Sequence, residues 1–185
     1  MEARLAKVVR ILTIPQLMAL ALIFLLAAAF PGIDMWWAIF FLCALPILAY
    51  PLCWAIPALR RGGRARERMV AVIFCVTGYV GGVLYGLLGR GTRAALAIYL
   101  TYLISGTLVA LFSFVFKIKG SGHASGVAGP IAMLVWQLSP WFLLAGLLLC
   151  AVFWCSLKLK RHTWPQLWLG SAFPVLAILL LMVIL

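Results

Sequence analysis

Acidic residues are almost missing from this 185-residue chain. Glu2, Asp34 and Glu67 stand against fifteen Lys and Arg, and no acid follows position 67. Carboxylate-held magnesium, paired-carboxylate hydrolysis and a Ser-His-Asp triad therefore lack their acids over the C-terminal two thirds. Histidine is scarce as well: the two are His123 and His162, too few without carboxylates to make a metal site. The five cysteines, Cys43, Cys53, Cys75, Cys150 and Cys155, all lie in apolar runs and none forms a C-x-x-C pair. A disulfide framework or zinc site has no support in that pattern, and the cysteines read as small buried hydrophobes. No stretch is polar enough or long enough for a soluble domain, so a nucleic-acid-binding module has no place here.

What the chain does have is apolar length. It is 67% hydrophobic with a mean hydropathy of +1.20, where soluble domains are closer to half apolar. Runs near twenty residues recur, each long enough to cross a hydrocarbon core as a helix. The sequence predicts seven such segments, near 11–30, 35–59, 69–88, 94–116, 124–138, 141–156 and 167–185. The N-terminal run is long enough to remain a first span and not a cleaved signal. The second segment carries Pro46, Pro51 and Pro57 and should be kinked or broken, which leaves six spans as the competing count. The expectation is an all-α, polytopic transmembrane bundle of six to seven spans in a single integral membrane domain, 1–185. Its N-terminal spans occupy 1–93 and its C-terminal core 94–185.

Charge sets the predicted topology. The run Arg60-Arg-Gly-Gly-Arg-Ala-Arg-Glu-Arg68 is the densest basic stretch, and basic loops favour the cytoplasm and anionic headgroups. With seven spans and a cytoplasmic N-terminus, every Lys and Arg except Arg90 and Arg93 falls on the cytoplasmic face. Gly78, Gly82 and Gly86 repeat at every fourth position, a small-residue face for close packing, either within the chain or against a second copy as a homodimer.

Two polar stretches interrupt the C-terminal half: Lys117-Ile-Lys-Gly-Ser-Gly-His-Ala-Ser-Gly126 and Lys158-Leu-Lys-Arg-His-Thr-Trp-Pro-Gln166. Two short spans separate them, so they share one face. A helix is expected to begin near 122–124, its free N–H groups and positive dipole end turned to the loop. Gly120 and Gly122 allow backbone amides to turn toward an anion. Ser121, Lys117, Lys119 and Lys158 add donors, and the two histidines supply groups suited to proton transfer or attack on phosphorus.

These residues resemble the type 2 phosphatidic acid phosphatase superfamily of membrane lipid phosphatases. That family carries Lys-x6-Arg-Pro, then Pro-Ser-Gly-His, then Ser-Arg-x5-His-x3-Asp. Ser121-Gly122-His123 matches the core of the middle block, with Gly120 in place of Pro, and His162 matches the last block; the likeness covers about 116–171. The resemblance implies a phosphatase-like C-terminal core and no cofactor. It makes His162 the nucleophile that forms a phosphohistidine, and His123 the acid that protonates the leaving group. The implied substrate is a lipid phosphate or isoprenoid (di)phosphate. The alternative is a catalytically inactive lipid-phosphate binder or carrier with the same site. Three positions depart from the pattern. Ser156 stands at the last block's Arg, Gln166 at its Asp, and Lys-x6-Arg-Pro is absent. Lys117, Lys119 and Lys158 are the expected replacements for the lost cations. Gln166 is the expected orienting partner of His162, accepting from its ring N–H without supplying a negative charge.

Overall fold

The computed structural model describes residues 2–185, with side chains at all of these except 64, 65, 68 and 114. Among the described residues the structure is helical throughout, with no strand. Helices α1 (Glu2–Leu12) and α2 (Pro15–Ala29) meet at a 46° bend. Then come α3 (Met35–Ile39), a π-helical turn (Phe40–Ala44), α4 (Leu45–Ala55), α5 (Pro57–Arg60) and α6 (Gly63–Tyr85). A second π turn (Gly86–Arg90) leads to α7 (Arg93–Phe114). The C-terminal part holds α8 (Gly122–Gln137), a 3₁₀ turn (Pro140–Ala145), α9 (Gly146–Lys158) and α10 (Trp164–Ile184).

Five helical stretches are long and apolar enough to cross a membrane: Met35–Ala55, Met69–Arg90, Arg93–Ser113, Pro140–Lys158 and Trp164–Ile184. The bent α1–α2 pair adds a sixth if it is taken as one broken span. The chain is an integral membrane protein. The remaining predicted segment, the fifth of the seven, near 124–138, is the helix α8. At 16 residues and 1.5 Å per residue it is about 24 Å long, short of the roughly 30 Å of hydrocarbon.

Proline explains where the helices depart from regularity. Pro15 opens α2, where its missing N–H is not needed. Pro46 cannot donate to the carbonyl four residues back, and its ring crowds that carbonyl. The chain responds one turn earlier with the π turn, in which Leu45 N–H donates to Phe40 O. The second predicted segment is therefore continuous from Met35 to Ala55 and ends before Pro57.

Helix α8 is the axis of the bundle. It packs on α2, α7, α9 and α10, and from His123 to Pro130 every residue but Ser125 is buried. Lipid is as apolar as leucine, so close fit and not water exclusion holds such helices together. The small face of α8 makes that fit: a Cβ on Gly126 would lie 2.5 Å from the Pro15 ring. The main apolar cluster lies deeper, where Leu22, Ile23 and Leu26 meet Leu42, Ile98, Tyr99 and Met133. The glycine repeat that runs from α6 into the second π turn serves packing inside the chain. A Cβ at Gly78 would strike the Phe41 carbonyl, one at Gly82 the Tyr99 ring, and one at Gly86 would press on Leu96.

Candidate functional site

The two histidine stretches fold against each other at one end of the bundle. Ser121 caps α8, its Oγ accepting from Ala124 N–H at 3.3 Å. Ser121 N–H donates to the Gln166 carbonyl at 2.9 Å, tying the loop before α8 to the first turn of α10. Gly170, one turn further along α10, passes so close beneath this loop that a Cβ would meet the Ser121 backbone.

At the end of α9 the chain reverses through a left-handed Lys160, φ 50°. Lys160 N–H donates to Leu157 O and Arg161 N–H to Ser156 O, which satisfies carbonyls that the helix end would leave bare. This turn is usually glycine, since a Cβ in that conformation costs about 1 kcal/mol. Lys160→Gly should therefore raise the melting temperature of the purified protein by a few degrees while weakening its anion binding. Unchanged stability would mean the turn is not strained.

His162 is half-buried, and its orientation follows from the backbone. Thr163 and Gln166 form a capping box at the start of α10. Gln166 Oε1 accepts Thr163 N–H at 3.3 Å, which identifies that atom as the amide oxygen. The same oxygen lies 3.2 Å from His162 Nδ1, so Nδ1 carries a proton, and in the neutral ring the lone pair is on Nε2.

These residues border an open cleft of about 750 Å³ whose polar lining includes Arg10, Lys119, Lys160, Arg161, His162 and Gln166, with no carboxylate. Of the cations expected from the sequence, Lys119 is there. Lys117 is exposed in the adjoining loop and does not line the cleft, and Lys158 pairs with Glu2. Ser121 is fully buried and engaged as a cap, while Gly122 lines a separate cavity of about 260 Å³. Arg10, Lys160 and Arg161 are the cations that sequence reasoning did not single out. For the last two, their place beside His162 was the available signal. Among the described residues no cluster of His, Cys, Asp or Glu could hold a metal ion.

His123 is buried and absent from the cleft lining. Its Nε2 lies 3.0 Å from Thr13 Oγ1. The Thr13 hydroxyl donates to Val9 O at 2.8 Å, so it accepts from His123, and the imidazole proton sits on Nε2. Burial pushes the His123 pKa down from 6.5 to about 4, and the charge of Arg10 and, when it is protonated, that of His162 act in the same direction. His123 is therefore neutral at pH 7. A histidine held neutral by the fold binds fewer protons folded than unfolded, so its contribution falls as pH drops from about 6.5 to about 4. Melting curves in detergent should show stability declining across that window, by about 3 kcal/mol for the full depression. His123→Gln should flatten the decline, and an unchanged slope in that variant would contradict the assignment.

No family model, curated protein or solved structure matches the chain.

Proposed function

We propose that this protein binds the phosphate end of a membrane lipid in the basic cleft and hydrolyses it through a phosphohistidine at His162. The observation that carries this reading is the Thr163–Gln166–His162 arrangement, which sets the Nε2 lone pair of a half-buried imidazole beside a concentration of cations. In the reaction Nε2 attacks phosphorus, the bond from phosphorus to the leaving oxygen breaks, and the electron pair departs with that oxygen. Arg10, Lys119, Lys160 and Arg161 neutralise the phosphoryl oxygens, whose negative charge the transition state carries. Water then attacks phosphorus, the bond from phosphorus to Nε2 breaks with its electron pair returning to Nε2, and inorganic phosphate leaves, the water's proton passing to solvent.

His123 has one proton at neutral pH and gives it to Thr13, so it is poorly placed to protonate a leaving alcohol. A diphosphate needs no such help, because its leaving group departs as a phosphate anion. Four cations with no lining acid also suit a diphosphate better than a monoester. An isoprenoid diphosphate thus fits best among the substrates the resemblance implies. The test is phosphate release by purified protein from a panel of prenyl diphosphates, prenyl monophosphates and phosphatidates, in the presence of a chelator. Release from diphosphates ahead of the others is expected; release from none sinks the enzyme reading.

The second reading is a non-catalytic lipid-phosphate binder. The engagement of His123 with Thr13 favours it, since it removes a second catalytic histidine from the cleft. Saturable binding of a lipid phosphate without turnover would select it.

The density of Lys and Arg at 60–68 and 117–119 supports a cytoplasmic cleft. A reporter fused at Gly63 and an epitope inserted in the exposed loop at Lys117–Lys119 should both report the cytoplasm. An external signal from the loop epitope would reverse the sidedness.

A further inference from the structure

Helix α1 departs from α2 by 46° and divides its faces. Leu5, Val8 and Leu12 point outward, each at least half exposed, while Ala6 is wholly buried. Outward leucines beside Arg4 and Lys7 are the pattern of a helix lying at a membrane interface. Yet α1 does not lie there loosely. Glu2 at its start pairs with Lys158 at the end of α9, and α1 packs along α9. Thr13, just past its end, holds the His123 ring of α8. Two residues after Thr13, Pro15 is pressed against Gly126 of α8. The helix is thus fastened at both ends, and between the fastenings it presents Arg10 to the basic cleft. Arg4 and Lys7, on the same helix, are exposed and do not line it.

We propose that α1 is a working part of the anion site: Arg10 is one of its phosphate-binding cations, and Thr13 and His123 are positioning residues that hold Arg10 in place. The inference rests on the reading of the cleft as an anion site. It holds equally for an enzyme and for a binder. The chemistry favours arginine here, since a planar guanidinium meets two phosphate oxygens at once where an ammonium meets one. The local geometry explains the partner of Thr13. With the threonine proton already committed to Val9 O, only a donor can complete the link, and neutral His123 offers Nε2–H. The link joins the bend after α1 to the first turn of α8, the helix whose N-terminus borders the loop that carries Lys119. Two cations of the cleft that lie far apart in sequence are thereby held in one frame.

The test is calorimetric binding of inorganic diphosphate to the full-length protein in detergent micelles. Arg10→Gln should weaken binding about tenfold or more, the usual size of a lost charge-assisted contact. Lys7→Gln, on the same helix but outside the cleft, should change it little. Thr13→Val should weaken binding severalfold and Thr13→Ser should restore it. Nitrogen-15 spectra should show His123 protonated at Nε2 in wild type and in Thr13→Ser, and a mixture of tautomers in Thr13→Val. If Arg10→Gln does not fold, Arg10→Lys decides: severalfold weaker binding supports the proposal and unchanged affinity overturns it. Wild-type affinity in Arg10→Gln, alongside weakened binding in Arg161→Gln, overturns the role of α1 and leaves the anion site standing. A wild type that binds no diphosphate removes the anion site itself, and this proposal with it.

Discussion

His162→Ala should abolish turnover, by on the order of a thousandfold or more, and with it any acid-labile phosphoenzyme. The size follows from the role: no neighbouring group in the cleft is a substitute nucleophile, because the remaining polar lining is cationic or already bonded. Diphosphate binding should survive, since the four cations remain. Loss of binding together with turnover would mean that His162 is structural. Gln166 supplies the companion variants. Gln166→Leu removes the oxygen that sets the His162 tautomer and closes the capping box, and should lower kcat with little change in KM. Gln166→Glu keeps the length and adds the negative charge that an imidazolium-forming nucleophile favours, so it should raise kcat. Single-turnover phosphate release separates these effects from product departure. A Gln166→Leu enzyme as fast as wild type would show that the orienting contact is irrelevant to the chemistry.

Gly170→Ala should be the most disruptive single methyl at the candidate site. Its Cβ would fall on the Ser121 carbonyl oxygen and within 2.8 Å of the Ser121 nitrogen. Those are backbone atoms, unable to rotate aside as a flexible side chain would. Either the loop before α8 lifts from α10, breaking Ser121 N–H to Gln166 O, or α10 shifts. Overpacking of this kind costs typically 1–3 kcal/mol, and an orphaned buried amide adds about 1–3 more. A lowered melting temperature and weakened diphosphate binding should appear together. The control is Gly146→Ala, where a Cβ meets nothing within 4 Å. Equal stability of the two variants would contradict the packing described here.

The helices were legible in the sequence because their cause is local. Apolar length, the proline at the second position of α10 and the basic stretch before it place that helix within a few residues of 167–185, and the observed element is Trp164–Ile184. The start of α8 was equally readable from Ser121 and its following glycine. The resemblance, with Gln166 at the motif's Asp position, implied a contact with His162, and 3.2 Å separates their atoms. The cleft's membership was not legible. Lys158 looked like a site cation, but which cation an acid will choose depends on tertiary approach, and Glu2 lies on a helix 156 positions away. Arg10 and Thr13 were invisible for the same reason: the contact from Thr13 to His123 spans 110 positions. Their one local mark was the bend itself, signalled by a threonine two residues before Pro15. His123 was assigned by motif to proton donation. What the motif could not convey was burial and a hydroxyl whose proton was already taken.

The bend between α1 and α2 has a consequence for how this protein meets its ligand. If α1 lies at the bilayer interface as proposed, the site stands at headgroup depth, and an amphiphilic ligand would reach it by sliding within one leaflet, its tail never crossing water. The quantity that governs occupancy is then the mole fraction of ligand among its neighbours in that leaflet. Diluting the ligand with inert lipid at constant molarity empties the site, and diluting the whole suspension with buffer does not. Two-dimensional crowding, and not bulk affinity, sets when such a protein is full.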